Sequence, residues 1–192
     1  MCIRDRINTA AKACNRWITS IPDFVMHINL SFVQIVKSNI VKDVLENIER
    51  YSAANNHYVF EITETIEMDQ IPAVQNVFKE FVKNDFRFAI DDFGTGYSNY
   101  GYMRDRTFDI VKVDRSFVTD IDKLKDNYLM VSFIIKMAHE MGLHVCIEGV
   151  ETKEELSCVK KLGADYIQGY YYGKPVCLQD FEEQHLKRFV LG

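Results

Sequence analysis

Apolar and polar positions along this chain fall into a repeating order. Six short strand-like runs each stop on a polar or charged residue and are followed by a stretch with helical spacing. The runs are FVMHIN ending at Asn29, YVFE at Glu61, FRFAIDD at Asp91 and Asp92, DIVK at Lys112, HVCIE at Glu148, and DYIQ at Gln168. Helical spacing is predicted near 39–54, 72–84, 97–104, 127–141, 152–162 and 179–190. Successive strands start roughly 20 to 35 residues apart, the length of a βαβ crossover, so the pattern predicts a parallel sheet covered by helices. Gly142 and Gly163 each follow a helix and precede a strand, where a left-handed helix stop belongs. Residues 7–17 read as the second half of a helix whose parent strand is absent. Six strands are fewer than the eight of a closed (β/α)₈ barrel. An open doubly wound sheet is the alternative, though no Gly-rich turn follows the first strand to suggest dinucleotide binding.

The strand endings matter because, in parallel strands lying side by side, C-terminal tips gather on one rim. Asp91 and Asp92 are adjacent acids leading into FGTGYS. Like charges this close repel unless a cation neutralises them, and Mg²⁺ or Mn²⁺ prefers such oxygen donors. Otherwise one of the pair is a loop or cap residue. Glu61 is read as a metal ligand and Glu64 as support for a neighbouring loop. Asn29 offers a neutral oxygen ligand, or else a turn residue. Lys112 alternates with apolar neighbours, so Ile110, Lys112 and Asp114 share one strand face. Among carboxylates it can orient water or stabilise negative charge on phosphate, the alternative being an ion pair with Asp114 or Asp109. Glu148, before Gly149, is a candidate metal ligand or general base. Gln168, before Gly169, can bond a water or serve as a turn amide. Gly94 and Gly96 form a loop suited to movement near the aspartates. His27, His57, His139, His144 and His185 show no ligand spacing and are read as surface or core residues.

Composition narrows the partners. With 192 residues, 47% hydrophobic, one substantial core is affordable, and we read 7–192 as a single domain. The opening MCIRDR, residues 1–6, continues no pattern and is read as a scar of cloning, sequencing or gene calling. Lys plus Arg number 23 against 28 acids, a net charge of −5, which argues against capture of a nucleic-acid polymer along a basic groove. No apolar run reaches the roughly 18 to 20 residues of a membrane helix. Five widely spaced cysteines read as reduced thiols of a cytoplasmic protein.

Taken in order, NLS, EITE, DDFGTGYS, IVKVD, EGVET and YIQGYYYGKP resemble the EAL family of cyclic di-GMP phosphodiesterases over nearly all of residues 7–176. The resemblance implies an α/β fold, a TIM-like barrel here incomplete and lacking the family's first two strands. It implies hydrolysis of cyclic di-GMP to linear pGpG with Mg²⁺ or Mn²⁺ at a two-metal site, and inhibition by Ca²⁺. It makes Asn29, Glu61, Asp91 and Asp92 metal ligands, with Asp91 bridging, and Glu148 a second-metal or water-activating residue. Lys112 would position the attacking water, Gln168 would complete the water network, and Glu64 would hold the glycine loop that leads to a homodimer contact. Upstream sensor or GGDEF domains accompany many members. The strand bearing the glutamate of the Glu-Ala-Leu signature is missing here, so one metal ligand is expected to be lost and the fragment to be inactive or weakened. The alternatives are a cyclic di-GMP receptor without turnover, or a protein-interaction module.

Overall fold

The computed structural model describes residues 3–37, 39–51, 53–63, 72–95 and 107–186. Among the described residues six strands form one sheet in chain order, each beside the next, and the described pairings are parallel. Helices follow five of the six strands among the described residues, as the 20-to-35-residue rhythm predicts. The helix expected at 97–104 and the end of the one expected at 179–190 lie outside the described residues, as do Glu64 and Gly96.

The chain divides into two compact units. The first opens on α1 (Ile3–Trp17), whose apolar stripe buries Ile7, Ala11, Ala13, Cys14 and Trp17. The helix starts within the segment set apart at 1–6: Arg4 pairs with Asp43 at 2.7 Å, and Arg6 donates to the Asn29 carbonyl at 3.1 Å. Strand β1 (Met26–Asn29) follows, then a short helix α2 (Phe32–Lys37) absent from the sequence reading. Its signal is the pair Ser31 and Gln34, where the Gln34 side chain accepts from the Ser31 N–H at 2.9 Å, half of a capping box. Helix α3 (Ile40–Ile48) buries Ile40, Val44 and Ile48 and packs on α1. It gives way to a 3₁₀ turn at Glu49–Tyr51, so the helix predicted at 39–54 is shorter than its apolar spacing suggests. Strand β2 (Tyr58–Thr63) and helix α4 (Pro72–Lys83) enclose a cluster of Phe60, Phe81 and Phe86, with ring centroids 4.9 to 5.5 Å apart. Each ring contributes about 1.5–3 kcal/mol by leaving water. Trp17 meets Phe24 edge-to-face and Phe181 at a tilt, and its indole N–H donates to Glu182 at 3.0 Å, which ties helix α7 (Leu178–Phe181) to α1.

The second unit runs through Phe88–Lys174. It holds β3 (Arg87–Phe93), β4 (Ile110–Val113), α5 (Lys125–Glu140), β5 (His144–Ile147), α6 (Lys153–Leu162) and β6 (Tyr166–Ile167). All four residues of β4 are buried, the condition of a strand covered on both faces. Two aspartates pin the strand starts in the same way. Asp109, just before β4, accepts from the Phe88 N–H at 2.9 Å, and Asp165, just before β6, accepts from the Val145 N–H at 2.7 Å. Each carboxylate therefore reaches to the neighbouring strand and fixes where pairing begins. Gly142 and Gly163 take positive φ at the helix ends, as their positions predict.

Candidate active site

In the second unit, β3 carries Asp91 and Asp92 with an irregularity at that point. Ile90 pairs with Val111 and Phe93 with Val113, so two residues of β3 stand opposite Lys112 alone. This is the count of a β-bulge. Asp92 takes a left-handed conformation, φ 53°, at its second residue. Neighbouring residues in a regular strand point to opposite faces. The bulge cancels that alternation, and oxygens of Asp91, Asp92 and Glu148 come within 4.8 Å of one another. The sequence reading placed one aspartate at the rim with the other flanking it, whereas the backbone turns both toward Glu148.

Lys112 lies under this cluster. Its ammonium contacts Asp91 Oδ1 at 2.7 Å and Glu148 Oε1 at 2.9 Å, and its side chain is 4% exposed. The partners foreseen as the structural alternative are engaged elsewhere. Asp114 accepts from the Ser116 N–H at 2.9 Å and caps a 3₁₀ turn, while Asp109 holds the Phe88 N–H. Strand register explains the placement: Lys112 pairs with Cys146, two residues before Glu148, which puts their side chains on the same face.

The loop after Glu148 is braced by a residue the sequence reading passed over. Glu155 is buried, and its carboxylate accepts from the Glu151 and Thr152 N–H groups at 2.9 and 3.0 Å and from the Asp120 N–H at 3.1 Å. The Thr152 hydroxyl oxygen in turn accepts from the Glu155 N–H, completing a capping box at the start of α6. Burial pushes the Glu155 carboxyl up, but these hydrogen bonds outweigh it and hold the group below its ordinary range. The signal was legible as Thr-x-x-Glu before an apolar helix. Gly149, between Glu148 and this brace, has φ 73°, and a Cβ there would lie 2.3 Å from Arg115 Cβ.

Gln168 ends β6. Its N–H donates to the Ile147 carbonyl at 2.8 Å, its carbonyl accepts from Val150, and its side chain is exposed. Gly94 begins the glycine loop at φ 97°, and a Cβ there would come within 2.6 Å of the Phe117 ring. Thr95 closes the turn with both its N–H and hydroxyl on the Asp92 carbonyl.

In the first unit, Asn29 and Glu61 are register partners of β1 and β2, and the Leu30 N–H donates to the Glu61 carbonyl at 2.8 Å. Glu61 is 7% exposed and Asn29 exposed. His27 Nδ1 lies 2.7 Å from Glu61 Oε1, a contact not anticipated for a histidine read as a surface or core residue.

Three carboxylates this close, with Asp91 buried and Asp92 and Glu148 more open to solvent, offer oxygen donors of the kind a hard divalent cation takes. A family profile for the EAL domain matches residues 4–175. The chain belongs to the EAL domain family. This EAL domain is 31% identical over 168 residues, 88% of the chain and 20% of the relative, to the cyclic di-GMP phosphodiesterase PdeB of Shewanella oneidensis. The chain spans about a fifth to a quarter of the length of most of the curated relatives it matches. The EAL enzyme Bd1971, with cAMP and cyclic di-GMP bound, superposes with a TM-score of 0.88 at 32% identity, over 97% of this chain and 50% of that one. Klebsiella pneumoniae BlrP1, in a manganese and cyclic di-GMP complex, superposes at 0.76 with 25% identity, over 91% of this chain and 46% of its own. The EAL domain therefore has the expected α/β fold, a TIM-like barrel incomplete in this chain. Among the described residues no helix is long and apolar enough to cross a membrane.

Proposed function

We propose that this chain carries most of the phosphodiesterase site of a signalling protein whose intact domain hydrolyses cyclic di-GMP to linear pGpG with Mg²⁺ or Mn²⁺. The observation that carries the reading is the bulge at Asp91 and Asp92, which sets two carboxylates beside Glu148 over the buried ammonium of Lys112. A left-handed aspartate costs on the order of 1 kcal/mol in backbone energy, and folding alone gains nothing from crowding three acids. A divalent ion accounts for the crowding, and the donor chemistry fits one.

Two divalent ions, when bound, supply Lewis-acid activation of water and charge relief at the phosphodiester. The protein's own groups do the rest. Asp91, Asp92, Glu61 and Asn29 would hold the ions. Lys112 bridges the Asp91 and Glu148 carboxylates and orients them, positions the attacking water, and sets positive charge where the phosphate gains negative charge. Glu148 accepts the proton of the water or completes the second ion's surroundings. Gln168 donates to the water network. Glu64, Gly94 and Gly96 are assigned to the loop that leads toward a homodimer contact, and cytoplasmic location and an upstream sensor or GGDEF domain follow from the same reading. The cyclic di-GMP phosphodiesterase activity of PdeB, and the cyclic di-GMP bound in Bd1971, support the choice of substrate.

The test is product formation from cyclic di-GMP with Mg²⁺ or Mn²⁺, for the chain as it stands and for the chain extended by an EAL-type N-terminal segment. Linear pGpG from either, abolished by Asp91→Asn and by Lys112→Met, supports the assignment. Tight cyclic di-GMP binding by folded protein with no product from either form would replace the phosphodiesterase by a receptor. Normal turnover in either variant would overturn the mechanism.

A further inference from the structure

Glu61 is a buried carboxylate, and a buried carboxylate needs donors to be held in one orientation. One donor is His27, whose Nδ1 sits 2.7 Å from Oε1. The position is built by the ladder. His27 and Asn29 are two residues apart in β1 and so share a face, and Asn29 is the register partner of Glu61. His27 therefore meets Glu61 on the diagonal, a separation that long side chains bridge. Since a carboxylate only accepts, the proton of that bond belongs to Nδ1. The imidazole is part-exposed, 37%, while its partner is 7% exposed. A solvent-facing ring thus anchors one oxygen of a buried acid.

We infer that His27 is a positioning residue, one that fixes the Glu61 carboxylate in the orientation needed to receive a divalent cation. The inference rests on the metal role proposed for Glu61. A partner that hydrogen-bonds a ligating carboxylate sets its rotamer before the ion arrives, and losing such a partner typically weakens metal binding 10- to 100-fold. A residue that merely packed against β2 would be replaceable by any ring of similar size. A residue that acts through its N–H would not.

The experiment is Mn²⁺ titration of the full chain, with free Mn²⁺ read by electron paramagnetic resonance, alongside thermal unfolding. His27→Phe, which keeps a ring but no donor, is expected to raise the Mn²⁺ dissociation constant about 10-fold or more. His27→Gln, which restores an N–H, is expected to recover most of the loss, with both variants melting close to wild type. Glu61→Gln separates the two readings. If Glu61→Gln weakens Mn²⁺ binding while His27→Phe leaves it unchanged, the inference is overturned and the metal role of Glu61 stands. If neither substitution changes it, the metal role of Glu61 falls, and the inference with it. Equal weakening in His27→Phe and His27→Gln, together with lower melting temperatures, would mark His27 as structural and also overturn the inference.

Discussion

Replacing Lys112 by Met keeps the length of the side chain and removes its charge. The ammonium is 4% exposed and bonds Asp91 and Glu148, whose side chains are 12% and 17% exposed. Breaking a buried pair from one side costs about 3–5 kcal/mol, because the abandoned charge stays in a poorly solvated place. Here two carboxylates are abandoned beside a third, Asp92. Their partial exposure favours the lower end, so we expect about 3 kcal/mol. With a urea slope of about 2 kcal/mol/M, the midpoint of unfolding falls by about 1.5 M. The measurement is urea unfolding of wild type, Lys112→Met, Asp91→Asn and the double variant in the presence of chelator. The double-mutant cycle should return a coupling of at least about 1 kcal/mol, since Asp91→Asn removes one of the stranded charges. Excess Mn²⁺ should narrow the gap between wild type and Lys112→Met, because a bound cation at 100 times its dissociation constant contributes about 2.7 kcal/mol and meets less repulsion once the ammonium is gone. A Lys112→Met protein within about 0.5 kcal/mol of wild type under chelator would refute the reasoning: the ammonium would then contribute nothing to holding the acids together.

Two further perturbations probe the scaffold of the site. At Asp92, φ 53° favours glycine, so Asp92→Gly should unfold at higher urea than Asp92→Ala by about 1 kcal/mol, while both lose Mn²⁺ affinity; equal stability would argue against the left-handed bulge. Glu155 is held below its ordinary pKa, so it stabilises the fold above the unfolded carboxyl value near 4.3, and that contribution disappears as pH falls through its lower folded value. Glu155→Gln should therefore lie below wild type at pH 7, by about 1–3 kcal/mol, and the gap should shrink as pH falls below the unfolded carboxyl value of about 4.3 in chemical-denaturation curves taken across pH. A gap independent of pH would mean the carboxylate's charge is not what braces the loop.

The alternation of β and α elements was legible because burial on both faces of a parallel strand demands a short apolar run, and a covering helix demands 3.6-residue spacing. The strand tips were legible because a charged residue closing such a run has no packing role. In this way Asp91, Asp92, Lys112, Glu148 and Glu61 stood out as residues, and their ordered motifs resembled the family to which the chain belongs. What each of them touches was decided elsewhere. Lys112 had four acids within reach of plausible pairing, and only strand register selected Asp91 and Glu148 over Asp109 and Asp114. Adjacent aspartates should diverge in a strand, and only a one-residue bulge, a mismatch between β3 and β4 that neither sequence shows alone, turned both toward Glu148. His27 looked like any histidine on a strand until pairing with β2 set it diagonal to Glu61. Local spacing specifies which face a residue occupies, because that follows from backbone geometry within one element. Partners come from the register between elements, which arises only when the strands pack.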